Sequence, residues 1–345
     1  MNDTFLKACR GERTDYTPVW IMRQAGRNLP QFRELNAKVD FLTICRSAEL
    51  AAKVTLMPVD TFGVDAAILF SDLPLMVVPM GIDLKYNEKL GPVYTNPIRK
   101  KSDVDRLVVP DDPEKGLSFM LDTIKQLLPE LKNKVPLIGF GGGPFTLVAY
   151  MIEGGVSQRY FYVKSLLNES PELFHQLMAK VAKFDASFCQ AQLKAGAQAI
   201  MLFENWGGIL SYRDYMEFVY PYVREIFTSL KKEDKPIIYL ADRLSPIYEQ
   251  IKDCGADVFN IDFRVRLEDA IKRLGHKVAV QGNLDPFVMA YASQERMESH
   301  VKEILAMGKK AKGHIFNLGD GILPETPVAK TKALVEAVHR LSRKS

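Results

Sequence analysis

The chain has few of the residues that mark disulfide-rich or metal-binding proteins. Its 345 residues include only four cysteines, which lie far apart and form no C-x-x-C pair: Cys9, Cys45, Cys189 and Cys254. Isolated cysteines of this kind are typical of free thiols in a reducing compartment. No group of cysteines and histidines has the spacing of zinc ligands, so we expect no metal site.

Long apolar runs are also missing. No run approaches the roughly 18 residues that a membrane-spanning helix needs. The amino-terminal stretch MNDTFLKACRGE lacks the continuous apolar core of a secretory signal. We therefore expect a cytoplasmic protein without a membrane partner. The net charge of +4 is small and scattered, so nucleic acid is not an expected partner either.

Glycine-rich motifs for phosphate binding are absent as well. No G-x-G-x-x-G opens the first predicted helix, and the glycine run at 141–143 lacks the Lys-Ser/Thr pair that completes a P-loop. Hydrophobic residues make up 47% of the chain and charged residues 26%, which is ordinary for a globular protein. The expected site therefore does not bind nucleotide phosphates.

What the sequence does contain is a regular alternation of short apolar runs and helical patterns. Eight runs are predicted to be strands: 19–23, 65–70, 135–140, 199–203, 236–240, 258–262, 278–281 and 314–317. Helical patterns cover 48–59, 116–131, 171–194, 212–231, 246–254, 267–274, 294–307 and 328–342. This alternation is typical of parallel strands joined by crossover helices.

Eight such units predict an α/β fold of the (β/α)8 TIM-barrel type, with a doubly wound open sheet as the alternative. The segment 76–98, rich in Gly, Pro and Val, is predicted to be a β-hairpin insertion after the second strand. No linker or repeat interrupts the pattern, so we expect a single domain over residues 1–345. In a barrel, polar residues where strands end form the site; here they are Arg23, Asp72, Asn205, Asp242, Asp262, Gln281, Asn283 and Asp320.

Two arginines, Arg23 and Arg27, follow the first apolar run in the stretch Met-Arg-Gln-Ala-Gly-Arg at 22–27. Guanidinium groups bind carboxylates through two parallel hydrogen bonds, so a carboxylate-bearing ligand is one interpretation. A surface ion pair is the other.

The stretch PVWIMRQAGRNLP at 18–30 resembles the signature of the uroporphyrinogen decarboxylase family. Further similar motifs follow in family order: FSD at 70–72, GPFTL at 143–147, YMIEGG at 150–155, QGNLDP at 281–286 and NLG at 317–319. The resemblance implies a carboxy-lyase that converts the four acetate arms of uroporphyrinogen III to methyl groups, giving coproporphyrinogen III in haem biosynthesis. It implies no cofactor, a small-molecule tetrapyrrole as partner, and a homodimer.

The resemblance also implies roles for particular residues. Asp72 would accept hydrogen bonds from pyrrole N–H groups and stabilise a cationic pyrrole, and Arg23 and Tyr150 would complete the catalytic set. The implied substrate-binding residues are Arg23, Gln24, Ala25, Arg27, Arg46, Asp72, Tyr150, Phe203, Asn205 and Asp320. Structural alternatives stay open: a helix cap for Asp72, a surface charge for Arg46, and core packing for Tyr150 and Phe203.

The sequence departs from the family pattern near several strand ends. Asp320 replaces the histidine of the family's Asn-Leu-Gly-His-Gly, which puts an anion beside a polyanionic substrate; protonation, or pairing with Arg243 or Arg264, would relieve the repulsion. Asn205 replaces a serine, and Phe263 replaces a tryptophan. Two alternatives therefore remain: a catalytically weakened tetrapyrrole-binding homologue, and a relative of barrel corrinoid-dependent methyltransferases.

Overall fold

The structure is a computed structural model that describes residues 1–87, 90–231 and 233–343. Its strands are β1 (Ala67–Ile68), β2 (Leu84–Asn87), β3 (Gly91–Tyr94), β4 (Leu137–Gly142), β5 (Ala199–Glu204), β6 (Ile237–Ala241), β7 (Val258–Asn260), β8 (Ala279–Gln281) and β9 (His314–Ile315). Short 3-10 helices cover Leu73–Met80, Gly207–Ile209 and Ser245–Ile247.

The α-helices are α1 (Thr4–Arg10), α2 (Pro30–Asn36), α3 (Phe41–Arg46), α4 (Ala48–Phe62), α5 (Lys101–Asp105), α6 (Ser118–Leu131), α7 (Pro144–Glu153), α8 (Phe161–Glu169), α9 (Pro171–Ala195), α10 (Tyr212–Phe218), α11 (Tyr220–Ser229), α12 (Tyr248–Ile251), α13 (Leu267–Leu274), α14 (Pro286–Tyr291), α15 (Gln294–Gly308) and α16 (Val328–Ser342). Among the described helices, none is both long and apolar enough to span a membrane.

Seven strands form one curled parallel sheet in the order β1-β4-β5-β6-β7-β8-β9. Every residue of β4 and β6 is buried, as expected for parallel strands covered on both faces. The predicted α/β architecture with a parallel sheet is confirmed. Because all seven strands run the same way, their carboxyl ends meet at one edge.

The predicted strand at 19–23 is wrong as a regular strand. In the described chain only Val19 makes a β-bridge, to Phe316 next to β9. On its other side, the Asp65 N–H, just before β1, donates to the Val19 carbonyl oxygen at 2.8 Å. On the β9 side the Phe316 N–H donates to the Pro18 carbonyl oxygen at 2.8 Å and the Trp20 N–H donates to that of Phe316 at 3.4 Å. The Val19 segment thus contacts both edges of the sheet through a few bonds rather than a full ladder.

Side chains replace the strand partner beyond Val19. The Ile21 N–H donates to the Gln24 side-chain oxygen, and the Met22 N–H donates to that of Asn317, both at 2.9 Å. Buried backbone groups need a partner, and these two bonds turn the chain out of the sheet before residue 23.

β2 and β3 form a separate antiparallel pair within the segment 76–98. Leu84 pairs with Tyr94 and Asn87 with Gly91. Residues 88 and 89, between the two strands, lie outside the described part of the chain.

Two of the predicted helices are not single regular α-helices in the structure. The pattern at 212–231 is two helices, α10 and α11, because Pro221 in the first turn of α11 has no N–H with which to continue the preceding helix. The pattern at 246–254 is a 3-10 turn followed by the four-residue α12. The predictions at 267–274 and 328–342 match α13 and α16 at both ends.

The core packs apolar side chains between the sheet and the helices. Its largest fully buried members include Trp20, Phe145, Phe174 and Tyr215. All four cysteines are free and buried, as predicted for unpaired thiols.

Candidate active site

The carboxyl edge of the sheet opens into two adjoining cavities. The larger has a volume of about 440 Å³ and is called here the Asp72 compartment. The smaller, of about 310 Å³, is called the Asp320 compartment. Four residues line both and form the partition between them: Arg23, Tyr150, Phe203 and Asn205. The structure therefore brings these predicted residues together at the strand ends.

The Asp72 compartment has mostly apolar walls. Aromatic rings from four parts of the chain line it: Phe32, Phe41, Phe70 and Phe140. The Phe70 ring meets the ring of Phe32 edge-on, with centroids 5.5 Å apart. Ala25, Arg27 and Asp72 complete the predicted residues in this compartment. Such walls suit a large, flat, apolar ligand body with charged groups at its margin.

Asp72 is held by two hydrogen bonds. Its Oδ1 accepts from the Leu73 N–H at 3.1 Å, and its Oδ2 accepts from the Tyr86 hydroxyl. Asp72 also caps the 3-10 helix Leu73–Met80. It therefore lines the predicted cavity and also serves as a helix cap, which was its alternative structural role. Burial raises the pKa of Asp72 to about 6, although the nearby positive charge of Arg23 opposes that shift. Near neutral pH the carboxyl group is therefore mostly ionised.

Tyr86 is a residue that the sequence reasoning missed. It lies on β2, where Leu84 and Tyr86 are half-buried while Lys85 and Asn87 are exposed. This period-2 alternation was a usable signal, because it puts Tyr86 on the inner face of the strand. Its partner, Asp72, was not predictable from that pattern.

The open carboxyl edge of the sheet, with its two compartments, is called here the mouth. Arg23 lies in the mouth and has an unusual backbone conformation. Its φ is +61°, a region that non-glycine residues rarely adopt. The side chain then lies across Gly321, where an added Cβ would come within 2.7 Å of the Arg23 Cδ. Arg27 donates to the Ile322 carbonyl oxygen at 3.3 Å. Within the described part of the chain neither arginine forms a salt bridge, so both guanidinium groups remain available to an anionic ligand.

Tyr150 lies on α7 and packs against other aromatic rings. Its ring centroid is 4.2 Å from that of Trp206 and 6.4 Å from that of Tyr94. Burial raises the pKa of Tyr150 to about 12, with a further contribution from the negative charge of Asp72. The phenol is thus a neutral hydrogen-bond donor at physiological pH.

Two predicted substrate-binding residues do not line either compartment. Gln24 is fully buried; its amide accepts from the Ile21 N–H and donates to the Ala66 carbonyl oxygen at 2.9 Å. It therefore ties the arginine turn to β1. Arg46 is exposed at the end of α3. Gln281 and Asn283, at the end of β8 and just beyond it, are buried and bonded to protein groups.

The Asp320 compartment is lined by three aspartates: Asp242, Asp262 and Asp320. Arg243 lies 3.5 Å from Asp242, and Arg264 lies 3.5 Å from Asp262. Among the described residues, neither arginine forms the predicted salt bridge with Asp320. Its Oδ1 instead accepts from the Gly321 N–H at 2.6 Å.

The charges of this compartment act on one another. Burial raises the pKa of Asp242 to about 6, Arg243 lowers it, and the negative charges of Asp320 and Asp262 raise it further. Across the described residues, no group of three or more His, Cys, Asp or Glu side chains is arranged to hold a metal ion.

Comparisons with solved structures support the fold. A methyltransferase from Methanosarcina mazei aligns with a TM-score of 0.83 and 23% identity, covering 98% of both chains. A B12-independent methionine synthase from Shewanella sp. W3-18-1 aligns with a TM-score of 0.60 and 12% identity, covering 94% of this chain and 95% of that one. At these identities the likeness shows a shared fold and nothing about chemistry.

Sequence comparisons are far closer. The family profile described as Uroporphyrinogen decarboxylase (URO-D) matches residues 1–341. A protein named uroporphyrinogen decarboxylase from Geobacter metallireducens is 48% identical over 344 residues, covering 100% of both chains. Another of that name from Carboxydothermus hydrogenoformans is 47% identical over 342 residues, covering 99% of this chain and 97% of that one. The chain belongs to the uroporphyrinogen decarboxylase family.

Proposed function

We propose that this protein decarboxylates the acetate arms of uroporphyrinogen III to give coproporphyrinogen III. The observation that carries the proposal is the composition of the Asp72 compartment. One largely ionised carboxylate faces a cavity with aromatic walls, and the guanidinium groups of Arg23 and Arg27, which form no salt bridge with the described residues, line the same cavity. Together they complement a pyrrole macrocycle that carries acidic arms.

The chemistry needs a sink for the electrons that CO₂ leaves behind, and the substrate supplies it. Protonation of a pyrrole ring carbon makes an iminium-like cation. The C–C bond to the carboxylate then breaks, and its electrons neutralise the cation. A proton added to the exocyclic carbon gives the methyl group, and the ring carbon then loses the proton it gained at the start, which restores the neutral pyrrole.

Asp72 stabilises the charged stage of this sequence. Its carboxylate accepts hydrogen bonds from pyrrole N–H groups and lies where the positive charge develops. In a compartment with apolar walls such an interaction is much stronger than in water. Substrate N–H groups would take over the Oδ2 position that the Tyr86 hydroxyl occupies.

The two arginines bind the acidic arms. Arg23 lines both compartments, so it is placed to contact the reacting acetate. Arg27 lines only the Asp72 compartment and would hold a second arm. Tyr150, Phe203 and Asn205 close the partition around the reacting ring.

The proposal extends to the architecture and assembly. The seven-stranded sheet and the Val19 segment together form a closed (β/α)8 barrel, β2 and β3 form an insertion in it, and residues 1–345 form one domain. The protein acts in the cytoplasm as a homodimer without a cofactor. Light scattering coupled to size-exclusion chromatography tests the dimer.

Anaerobic incubation with uroporphyrinogen III, followed by oxidation and chromatography of the porphyrins, tests the activity. We expect products that have lost one to four carboxyl groups in succession, and far smaller amounts of them with Asp72→Ala. Tight binding of uroporphyrinogen without CO₂ release would instead support the weakened tetrapyrrole-binding homologue, which the exposed carboxylate of Asp320 motivates.

A further inference from the structure

Glu204, the last residue of β5, is fully buried and lines neither compartment. Its Oε1 accepts from the Thr146 hydroxyl at 2.5 Å, and its Oε2 accepts from the Phe145 N–H at 3.2 Å. Both donors lie in the first turn of α7. One carboxylate thus ties the end of a strand to the beginning of the helix that carries Tyr150.

The contact between the end of β5 and the beginning of α7 is called here the junction. The side-chain hydrogen bonds across it all run in one direction. The Asn205 N–H donates to the Thr146 hydroxyl oxygen at 2.8 Å. A hydroxyl has only one proton, so the proton of Thr146 goes to Glu204. The chain of bonds runs from Asn205 through Thr146 and ends on the carboxylate, which is an acceptor at both oxygens.

The backbones at this junction also approach closely. The Gly143 N–H donates to the Phe203 carbonyl oxygen at 2.8 Å. A Cβ on Gly143 would lie 2.6 Å from the Glu204 Cα, so only glycine fits there. The helix therefore cannot shift along the strand without losing these bonds.

The junction adjoins three of the four partition residues. Phe203 and Asn205 are the chain neighbours of Glu204. Thr146 and Tyr150 are four positions apart in α7, and residues with that spacing share a face of a helix. Movement at the Thr146 end would therefore be transmitted to the Tyr150 ring one turn away.

Glu204 lies among other titratable groups. Its negative charge contributes to the raised pKa values of Asp185 on α9, Tyr215 on α10 and Tyr239 on β6. Burial raises the pKa of Glu204 to about 7, whereas the Thr146 hydroxyl and neighbouring backbone N–H groups lower it. The bonds from α7, together with one from the Trp206 backbone N–H, therefore favour the ionised form.

We propose that Glu204 is a positioning residue of this active site, because its carboxylate fixes α7 against β5 and so sets Tyr150 in the partition. The inference rests on the proposed function for its kinetic consequence. It adds a residue that does not touch the substrate and acts through Tyr150.

Two variants and one control test the junction. Glu204→Gln keeps the shape but turns an amide donor towards a backbone N–H, and Thr146→Val removes the hydroxyl. We expect each to lower kcat/KM for uroporphyrinogen by about tenfold, chiefly through kcat, as for a buried hydrogen bond to a charged group. Thr146→Ser keeps the hydroxyl, so it should stay within about twofold of the parent.

A double-mutant cycle tests the route through Tyr150. Contacts that act through one another are not additive. In a Tyr150→Phe background, Glu204→Gln should therefore lower kcat/KM by less than about twofold. A full tenfold loss in both backgrounds would overturn the proposal, as would full activity of both Glu204→Gln and Thr146→Val. If Glu204→Gln does not fold, the same cycle is measured with Thr146→Val in its place.

A spectroscopic readout separates this inference from the activity. The chain has two tryptophans, so labelling with 5-fluorotryptophan gives two ¹⁹F resonances, assigned with Trp206→Phe. We expect Thr146→Val, which leaves the bond from the Trp206 backbone N–H to Glu204 in place, to shift the Trp206 resonance, because its indole packs on Tyr150, and to leave that of Trp20. An unmoved Trp206 resonance contradicts the positioning role even if the parent decarboxylates. A parent without decarboxylation contradicts only the proposed function.

Discussion

The two compartments of the mouth differ in how their charges are arranged. In the Asp72 compartment, Arg23 and Arg27 form no salt bridge within the described chain, and a single aspartate lies among aromatic rings. In the Asp320 compartment the carboxylates predominate: Arg243 lies beside Asp242, and the exposed Asp320 forms no salt bridge with any residue that the structure describes. The Asp72 compartment therefore offers a ligand the positive charge of two arginines, whereas in the Asp320 compartment Arg243 is paired with a carboxylate and only the shared Arg23 is not.

This difference makes the charge of the mouth asymmetric. A polyanionic macrocycle is attracted to the side with free guanidinium groups and repelled from the side with excess carboxylate. The partition residues lie between the positively charged side and the negatively charged side, and Arg23 lines both compartments. The following experiments weaken one side at a time.

Removing the central anion should have the largest effect. We expect Asp72→Ala to lower kcat by at least about 100-fold, because the carboxylate stabilises charge that develops during the reaction. Turnover of uroporphyrinogen III measures the loss. The thermal unfolding midpoint should stay close to that of the parent, which separates chemistry from folding. A folded Asp72→Ala with full activity would remove the basis of the comparison.

Removing one free cation should have the next largest effect. We expect Arg23→Gln to lower kcat/KM by about tenfold or more, because a hydrogen bond between charged groups contributes about 1.5–3 kcal/mol. Arg46→Gln is the matched control, since Arg46 lies outside both compartments and should leave kcat/KM unchanged. Equal losses in the two variants would mean that overall charge, rather than the position of Arg23, governs binding.

Changing the acidic side should raise activity. We expect Asp320→His to increase kcat/KM several-fold, because it replaces a carboxylate that repels the acidic arms with a neutral or cationic donor. Asp320→Asn separates the two causes: a similar gain points to lost repulsion, and no gain points to the imidazole. Unchanged or reduced turnover with Asp320→His would show that the acidic compartment does not limit the reaction.

The structure brings Asp72, Arg23 and Arg27 around one cavity, as their positions near strand ends predict. That success has a physical basis, because parallel strands bring their carboxyl ends to one edge whatever the separation in sequence. The same rule gave Asn205 and Asp320. Topology thus determines which residues meet, although not what each side chain bonds to.

The failures concern orientation and long-range pairing. Gln24 turns into the core because the Ile21 N–H needs a buried acceptor, and a pattern of residue types does not show which way a side chain turns. Tyr86 reaches Asp72 from the β2–β3 pair, across 14 residues of chain. The split between α10 and α11 follows from Pro221, which lacks the N–H that a continuous helix would need there.

The smallest predicted effect is on the pH profile. The pKa of Asp72 is about 6, so kcat/KM should rise as the pH increases through about 6 and the carboxyl group ionises. The Tyr86 hydroxyl donates to the carboxylate and therefore stabilises the charged form. Its removal in Tyr86→Phe should raise the pKa and move the acid limb to higher pH, with a loss of only about two- to threefold at pH 7.5.

Two controls assign that limb to Asp72. Tyr16→Phe removes a comparable bond, from Tyr16 to Asp65 at 2.7 Å, at the opposite end of β1, so the limb should not move. Asp242→Asn removes the other mouth carboxyl with a pKa of about 6, and the limb should again persist. If the acid limb stays in place in Tyr86→Phe but disappears in Asp242→Asn, the group that titrates lies in the Asp320 compartment. In that case the acidic side, rather than the aromatic one, would control the protonation state on which turnover depends.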